Sequence, residues 1–102
     1  MPREPQLERA LAQALAKELR DLRLRSGMTQ EQVAHAAGIN RNHYQLLESG
    51  LSDRAKKTPA NPRLSTLVSL SEVYATTVPD LVIDVFRQRP GDTTIEFDDS
   101  AD

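Results

Sequence analysis

Arg41 and Asn42 place a guanidinium group and a carboxamide next to each other in the sequence. They follow Asn40, a residue type that caps helices, and they open a short helical segment. A guanidinium group matches the two acceptors of guanine in the major groove, and a carboxamide matches the donor and acceptor of adenine. Because Tyr44 and Leu47 occupy the apolar side of the helix, Arg41 and Asn42 should point outward. The pattern predicts base-reading groups, and an ordinary solvated helix start is the alternative.

Three further positions on this helix are candidate contacts to DNA, and two of them also have an alternative interpretation. His43 is a candidate contact to a phosphate or a base, and a plain exposed histidine is the alternative. Gln45 lies one turn beyond Arg41 and joins the candidate set. Leu46 is an apolar residue on the side of the helix that should face solvent. It therefore either packs against a thymine methyl or joins the inner cluster with Leu47.

Cations are concentrated after this helix, in a stretch without periodicity. Residues 51–62 read LSDRAKKTPANP, with two prolines and three bases against one acid, and are predicted to form a loop. With its neighbours, the stretch supplies a basic rim suited to the phosphates of DNA: Ser49, Arg54, Lys56, Lys57 and Arg63. For each of these side chains, a solvated surface position is the alternative.

Residues for catalysis or metal binding are scarce. The chain has no cysteine, which excludes a disulfide framework, thiolate chemistry and a cysteine-based zinc site. His35 and His43 are eight residues apart and straddle a turn, so they do not form a helical metal-binding face. There is no glycine-rich phosphate loop. We therefore expect no enzymatic activity, no cofactor and no metal.

The first two predicted helices lead into the candidate site. Leucines at positions 7, 11, 15, 19 and 22 form one apolar stripe, which predicts a helix from about Gln6 to a stop at Gly27. Thr29 and Gln32 have the spacing of a capping box and predict a short second helix that ends at Gly38. Two short helices joined by a tight turn at this glycine are the arrangement that defines a helix-turn-helix.

Three more helices complete the prediction. The third runs from Arg41 to Ser49 and is stopped by Gly50. The fourth follows Pro62 and has an apolar face composed of Leu64, Leu67, Leu70 and Tyr74. Thr77, with Asp80 three residues on, caps a fifth helix whose apolar side holds Leu81, Val82, Val85 and Phe86. We therefore predict an all-α domain of five helices with a short acidic tail.

Charge is unevenly distributed along the 102 residues. The net charge is −2, but all thirteen Lys and Arg lie within residues 1–91, whereas residues 92–102 contain five acids and no base. The chain is therefore a mildly basic body with an acidic tail. It contains no apolar run long enough to span a membrane, and its first residues, MPREPQLERA, do not resemble a signal peptide. A cytoplasmic, nucleoid-associated protein with no membrane partner is expected.

The sequence resembles the lambda-repressor-like, Cro/CI-type helix-turn-helix proteins, the xenobiotic-response-element group of bacterial regulators. The resemblance covers residues 18–82 and rests on ELRDLRLRSGMTQEQVAHAAGIN, YQLLESG, NPRLSTLVSLSEVY and TTVPDL. It implies a five-helix globule whose third helix lies in the major groove of DNA. Two features depart from the family pattern: Tyr44 stands where Ile or Val is usual, and the loop after Gly50 is longer.

The resemblance also implies roles for individual residues. Arg41 and Asn42 occupy base-reading positions. The start of the second helix, Thr29 and Gln30, belongs to the DNA-binding set, with the glutamine bonding a phosphate; the alternative is that Gln30 is only a polar residue in the first turn of the helix. Arg23 and Glu48 correspond to an ion pair that links the first helix to the third, and two unrelated surface charges are the alternative.

These inferences together predict three segments and one function. Residues 1–17 extend the first helix, residues 18–82 form the DNA-binding domain with its motif at 29–48, and residues 83–102 end the fifth helix and form the tail. The expected function is sequence-specific binding of a double-stranded DNA operator by a homodimeric repressor. The alternative is an antitoxin or interaction adaptor whose tail binds a protein partner. Helix five or a strand at residues 93–97, TTIEF, would form the dimer interface.

Overall fold

Five helices and one small hairpin make up the part of the chain that the structure describes. The computed structural model describes the backbone of residues 5–87 and the side chains of residues 6–81 and Ile83. The elements are α1 (Pro5–Ser26), α2 (Gln30–Ala37), α3 (Arg41–Ser49), β1 (Leu51–Asp53), β2 (Thr58–Pro59), α4 (Leu64–Val73) and α5 (Val78–Arg87). The predicted all-α fold is confirmed.

Local capping sets the ends of the two central helices. Thr29 Oγ1 accepts the backbone N–H of Gln32 at 3.1 Å, and Gln32 Oε1 accepts the backbone N–H of Thr29 at 2.9 Å. This is the predicted capping box, which satisfies two otherwise unpaired donors. Asn40 Oδ1 caps α3 by accepting the N–H groups of Asn42 and His43. Gly38, with φ 72°, makes the left-handed turn between the helices.

The core lies where α2 and α3 meet the other three helices. Val33 of α2 and Tyr44 of α3 are fully buried. They pack in one cluster with residues of α1, α4 and α5, among them Leu15, Leu19, Leu70 and Leu81. Because aliphatic side chains dominate this cluster, its stability rests on close packing of leucine and valine. The cluster holds α3 in place and leaves its first turn in solvent.

The segment predicted as a loop contains an antiparallel hairpin. Leu51 pairs with Pro59 and Asp53 with Thr58. Asp53 accepts two N–H groups, that of Lys57 on its backbone oxygen and that of Lys56 on Oδ1. Strands of three and two residues are too short to show an alternating pattern, so periodicity alone does not predict them. The hairpin returns the chain from α3 to α4.

Two predicted core positions lie at the surface. The sequence pattern puts Leu64 on the inner face of α4, but it is 68% exposed because it is the first residue of that helix and precedes the packed turns. Leu7, at the start of the leucine stripe of α1, is 36% exposed, since this end of the helix extends past the core. The side chains of Val82, Val85 and Phe86 and the strand predicted at residues 93–97 lie outside the described residues.

Candidate nucleic-acid interface

The first turn of α3 is exposed and carries three of the predicted DNA-binding residues. Arg41, Asn42 and His43 are all exposed. The capping bonds of Asn40 fix the start of the helix, and burial of Tyr44 fixes its rotation. The structure thus presents a guanidinium, a carboxamide and an imidazole together at one helix end, which are groups that donate to or accept from base edges.

A chain of hydrogen bonds connects the start of α2 with the middle and end of α3 and with the end of α1. Gln45 Nε2 donates to Gln30 Oε1 at 3.3 Å, and Gln30 Nε2 donates to Glu48 Oε1 at 2.9 Å. Glu48 in turn accepts from Arg23, through Nε at 2.6 Å and Nη2 at 3.1 Å. The predicted pair of Arg23 and Glu48 and the two candidate DNA contacts Gln30 and Gln45 therefore form one network.

Arg23 and Glu48 form a two-pronged ion pair that is largely removed from solvent. Their side chains are 17% and 3% exposed, respectively. Burial raises the pKa of Glu48, but hydrogen bonds from Arg23, Tyr44 and Gln30 oppose it and hold that pKa below the usual range for glutamate. Arg23 Nη1 also donates to the backbone oxygen of Met28 at 3.2 Å, which ties the pair to the turn before α2. The pair is therefore ionised and fixes α3 against α1.

Tyr44 finds a buried partner for its hydroxyl. The hydroxyl oxygens of Tyr44 and Tyr74 are 2.6 Å apart, which links α3 to the residue that follows the end of α4. Burial raises the pKa of both phenols. The hydroxyl group that distinguishes Tyr44 from the usual aliphatic residue is thus part of a satisfied polar contact.

Two residues of α1 that the sequence pattern does not single out hold the other end of α3. Arg20 Nη1 donates to the backbone oxygen of Glu48 at 2.7 Å, and Gln13 Nε2 donates to that of Ser49 at 3.4 Å. The last carbonyl groups of a helix lack partners within it and carry partial negative charge. Arg20 therefore stabilises the end of α3, although it precedes Glu48 by 28 residues in the sequence.

The start of α2 combines a cap with a polar side chain. Thr29 is exposed and its hydroxyl is used in the capping box. Gln30 is half-buried and engaged with Glu48 and Gln45. A carboxamide nitrogen carries two hydrogens, so a bond to Glu48 does not exclude a second bond to a phosphate. The N–H groups of the helix start add a favourable environment for an anion.

Leu46 and His43 border the junction between α3 and the hairpin. Together with Leu51, Ala60 and Pro62 they line a cavity of about 90 Å³. Leu46 is half-buried and lies outside the main core cluster. Leu46 therefore covers the contact of α3 with the hairpin and does not join the inner cluster with Leu47, while its packing against a thymine methyl stays a prediction.

The predicted basic rim lies on exposed positions. Ser49 ends α3, Arg63 precedes α4, and the hairpin turn carries Arg54, Lys56 and Lys57. The structure adds one cation: Arg9 of α1 donates through Nη1 to the backbone oxygen of Lys57 at 3.2 Å. These residues are 48 positions apart, so no local sequence signal places Arg9 there.

Comparison with known proteins agrees with this geometry. Residues 14–82, which include all of α2, α3 and α4, match the family model of the helix-turn-helix domain. The chain belongs to the helix-turn-helix domain family. The match supports the predicted resemblance to Cro/CI-type proteins and the all-α fold.

A curated relative of this helix-turn-helix protein is the cryptic phage CTXphi transcriptional repressor RstR of Vibrio cholerae. The two are 30% identical over 69 residues, which are 68% of this chain and 55% of the relative. The chain thus spans about half the length of that relative. No solved structure gives a significant match. Within the described residues, none of the helices has the length and apolar character needed to cross a membrane.

Proposed function

We propose that this helix-turn-helix protein is a transcriptional repressor that binds a specific double-stranded DNA operator through α3. The observation that carries the proposal is the exposed first turn of this helix, where Arg41 and Asn42 are fixed in place by a capped start and a buried Tyr44. Arg41 would donate to guanine and Asn42 would pair with adenine in the major groove. The likeness to a phage repressor supports the direction of regulation.

The surrounding residues supply affinity and orientation. Thr29 and Gln30 at the start of α2 would hold one DNA strand by a phosphate, helped by the N–H groups of that helix end. The exposed cations of the basic rim would contact the other backbone. His43, Gln45, Leu46 and Ser49 complete the proposed surface. The hydrogen-bond network from Arg23 to Gln45 holds these parts in one orientation, so little order need be gained on binding.

The same proposal includes assembly of two chains as a homodimer. A dimer would place two α3 helices in half-sites one helical turn apart, roughly 34–36 Å, and would make the operator palindromic or repeated. Selection of bound fragments from genomic DNA by the full chain tests the function directly. The proposal expects a recurring sequence whose affinity falls steeply with salt concentration. Recovery of no common sequence, with a protein captured through the acidic tail instead, would favour an antitoxin or adaptor.

A further inference from the structure

A groove separate from the proposed DNA-binding surface lies between the first half of α1, the hairpin and α5. Its volume is about 560 Å³, within the range of small-ligand pockets. The apolar residues that line it include Leu7, Leu11, Pro59, Pro62, Leu67 and Leu81. Leu7 is 36% exposed there, so part of this apolar surface is in contact with solvent. Apolar surface of this kind favours burial by another segment.

One edge of the groove is basic. The hairpin that contributes Pro59 to the lining carries the exposed Arg54, Lys56 and Lys57 at its turn, and the hydrogen bond from Arg9 to Lys57 brings a fourth cation to the same place. Asp53 is the acid of this hairpin, and its carboxylate accepts the N–H of Lys56. The lining residue Glu8 already has an interaction of its own. The groove edge therefore favours an anionic, partly apolar occupant.

The chain itself contains a segment with these two properties. Residues 92–102 include five acids and no base, and their large apolar side chains are Ile95 and Phe97. Leu81 lines the groove, and Arg87 is six residues further along α5, or about 9 Å at the rise of a helix. The eight residues from Arg87 to Ile95 can span up to about 26 Å when extended. The segment is therefore long enough to return to the groove.

We propose that residues 92–102 dock on the groove of their own chain. Ile95 and Phe97 enter the apolar part between α1 and the hairpin. The flanking acids lie against the cations of Arg9, Arg54, Lys56 and Lys57. Apolar burial supplies attachment, and charge complementarity sets the direction in which the segment lies.

Docking has a consequence for DNA binding that rests on the proposed function. The hairpin cations are members of the basic rim, so acids lying on them compete with phosphates. Neutralising the acids of the segment should then raise affinity for DNA several-fold at low salt. The gain should shrink as salt rises, because screening weakens both interactions.

The docking itself is tested without DNA. The chain has no cysteine, so Ser100→Cys gives a single attachment point for a nitroxide label on the full-length protein. Amide signals of groove residues such as Leu11 and Ala60 should be broadened selectively, whereas that of Ala36 on α2 should not. Replacing both Ile95 and Phe97 with Ser in the labelled chain should abolish the broadening. Thr94→Ala, which keeps both apolar side chains, should preserve it.

Three outcomes would overturn the proposal. Broadening spread evenly over the surface would show that the segment has no preferred position. Broadening unaffected by the Ile95→Ser and Phe97→Ser pair would show that the groove is not its site. Broadening that appears only on isotope-labelled chains mixed with nitroxide-labelled ones would show docking on a second copy. Since no DNA is present, failure here leaves the DNA-binding proposal untouched.

Discussion

The Arg23–Glu48 pair shows how one buried ion pair fixes α3 against α1. The carboxylate is held by two nitrogens of Arg23 and by Gln30, while the backbone of the same glutamate accepts from Arg20. A buried ion pair contributes little net stability compared with apolar residues, but loss of one partner leaves an uncompensated charge. The pair therefore acts chiefly to specify the position of α3 against α1.

Arg23→Ala should lower the free energy of unfolding by about 3–5 kcal/mol, because Glu48 would remain buried without its cation. Urea denaturation followed by circular dichroism measures this change. Arg25→Ala is the matched control, since Arg25 is exposed on the same last turn of α1 and should cost less than about 0.5 kcal/mol. Equal effects for the two variants would show that the ion pair does not contribute.

The lowered pKa of Glu48 predicts a dependence of stability on pH. Because the folded pKa lies below the unfolded one, the contribution is present above the unfolded value and is lost as pH falls through the folded value. Glu48→Gln should therefore lose less stability than the unaltered chain as pH falls through and below the ordinary titration range of glutamate. Denaturation at a series of pH values measures the difference. Parallel curves for the two proteins would refute the assignment.

At the scale of elements, polar contacts join the helices in addition to the apolar core. The Tyr44–Tyr74 contact joins α3 to α4, and Gln13 and Arg20 join α1 to the end of α3. Gly50 lies at the end of α3, beside α1. Its φ is 76°, and a Cβ added there would collide with the side-chain amide of Gln13. The left-handed backbone at position 50 therefore favours glycine, and the side-chain amide of Gln13 occupies the space that a Cβ would take.

Gly50→Ala should destabilise more than Gly27→Ala. Both residues adopt left-handed backbone, so both variants incur a strain of about 1–2 kcal/mol. Gly27 has open space around it, whereas alanine at 50 also displaces Gln13 and its hydrogen bond to Ser49, at an extra cost of about 0.5–1.5 kcal/mol. Thermal unfolding of the two variants compares them. The same effect in both would mean that Gln13 moves aside freely.

Local signals in the sequence are enough to predict the helices. The capping box is an example, because Thr29 and Gln32 are three residues apart and their bond depends on no other element. The hairpin could not be predicted, since its strands are too short for periodicity. The contacts of Arg9 and Arg20 join residues 48 and 28 positions apart, which only the packed fold brings together. For the ion pair, the family resemblance indicates both residues, and the structure supplies the distance.

At the scale of the whole molecule, charge distribution matters more than net charge. The described surface places cations at the hairpin turn and at the start of α3, whereas residues 92–102 contain five acids and no base. Long-range attraction to DNA depends on the basic surface, and sequence preference depends on the few side chains that reach base edges. The two contributions can be separated by salt and by choice of DNA.

Joint replacement of Lys56 and Lys57 with Ala should weaken binding to all DNA sequences. The slope of affinity against salt concentration should decrease by roughly 0.9 for each phosphate that the variant no longer neutralises. Lys17→Ala is the control, because it removes one lysine charge, against two in the double variant, from a position on α1 where the ammonium pairs with Asp21 at 2.8 Å. Fluorescence anisotropy over a range of salt gives the slopes. A slope unchanged from the unaltered chain would place the hairpin lysines outside the interface.

The central claim is that the first turn of α3 reads bases, and Arg41→Ala tests it most directly. Binding of the unaltered chain and of this variant is measured on the selected operator and on random DNA at one salt concentration. We predict a loss of about 1–3 kcal/mol on the operator, relaxed preference at one base pair, and little change on random DNA. An equal loss on both DNAs would make Arg41 a backbone contact, and no loss on either would contradict the placement of α3 in the major groove.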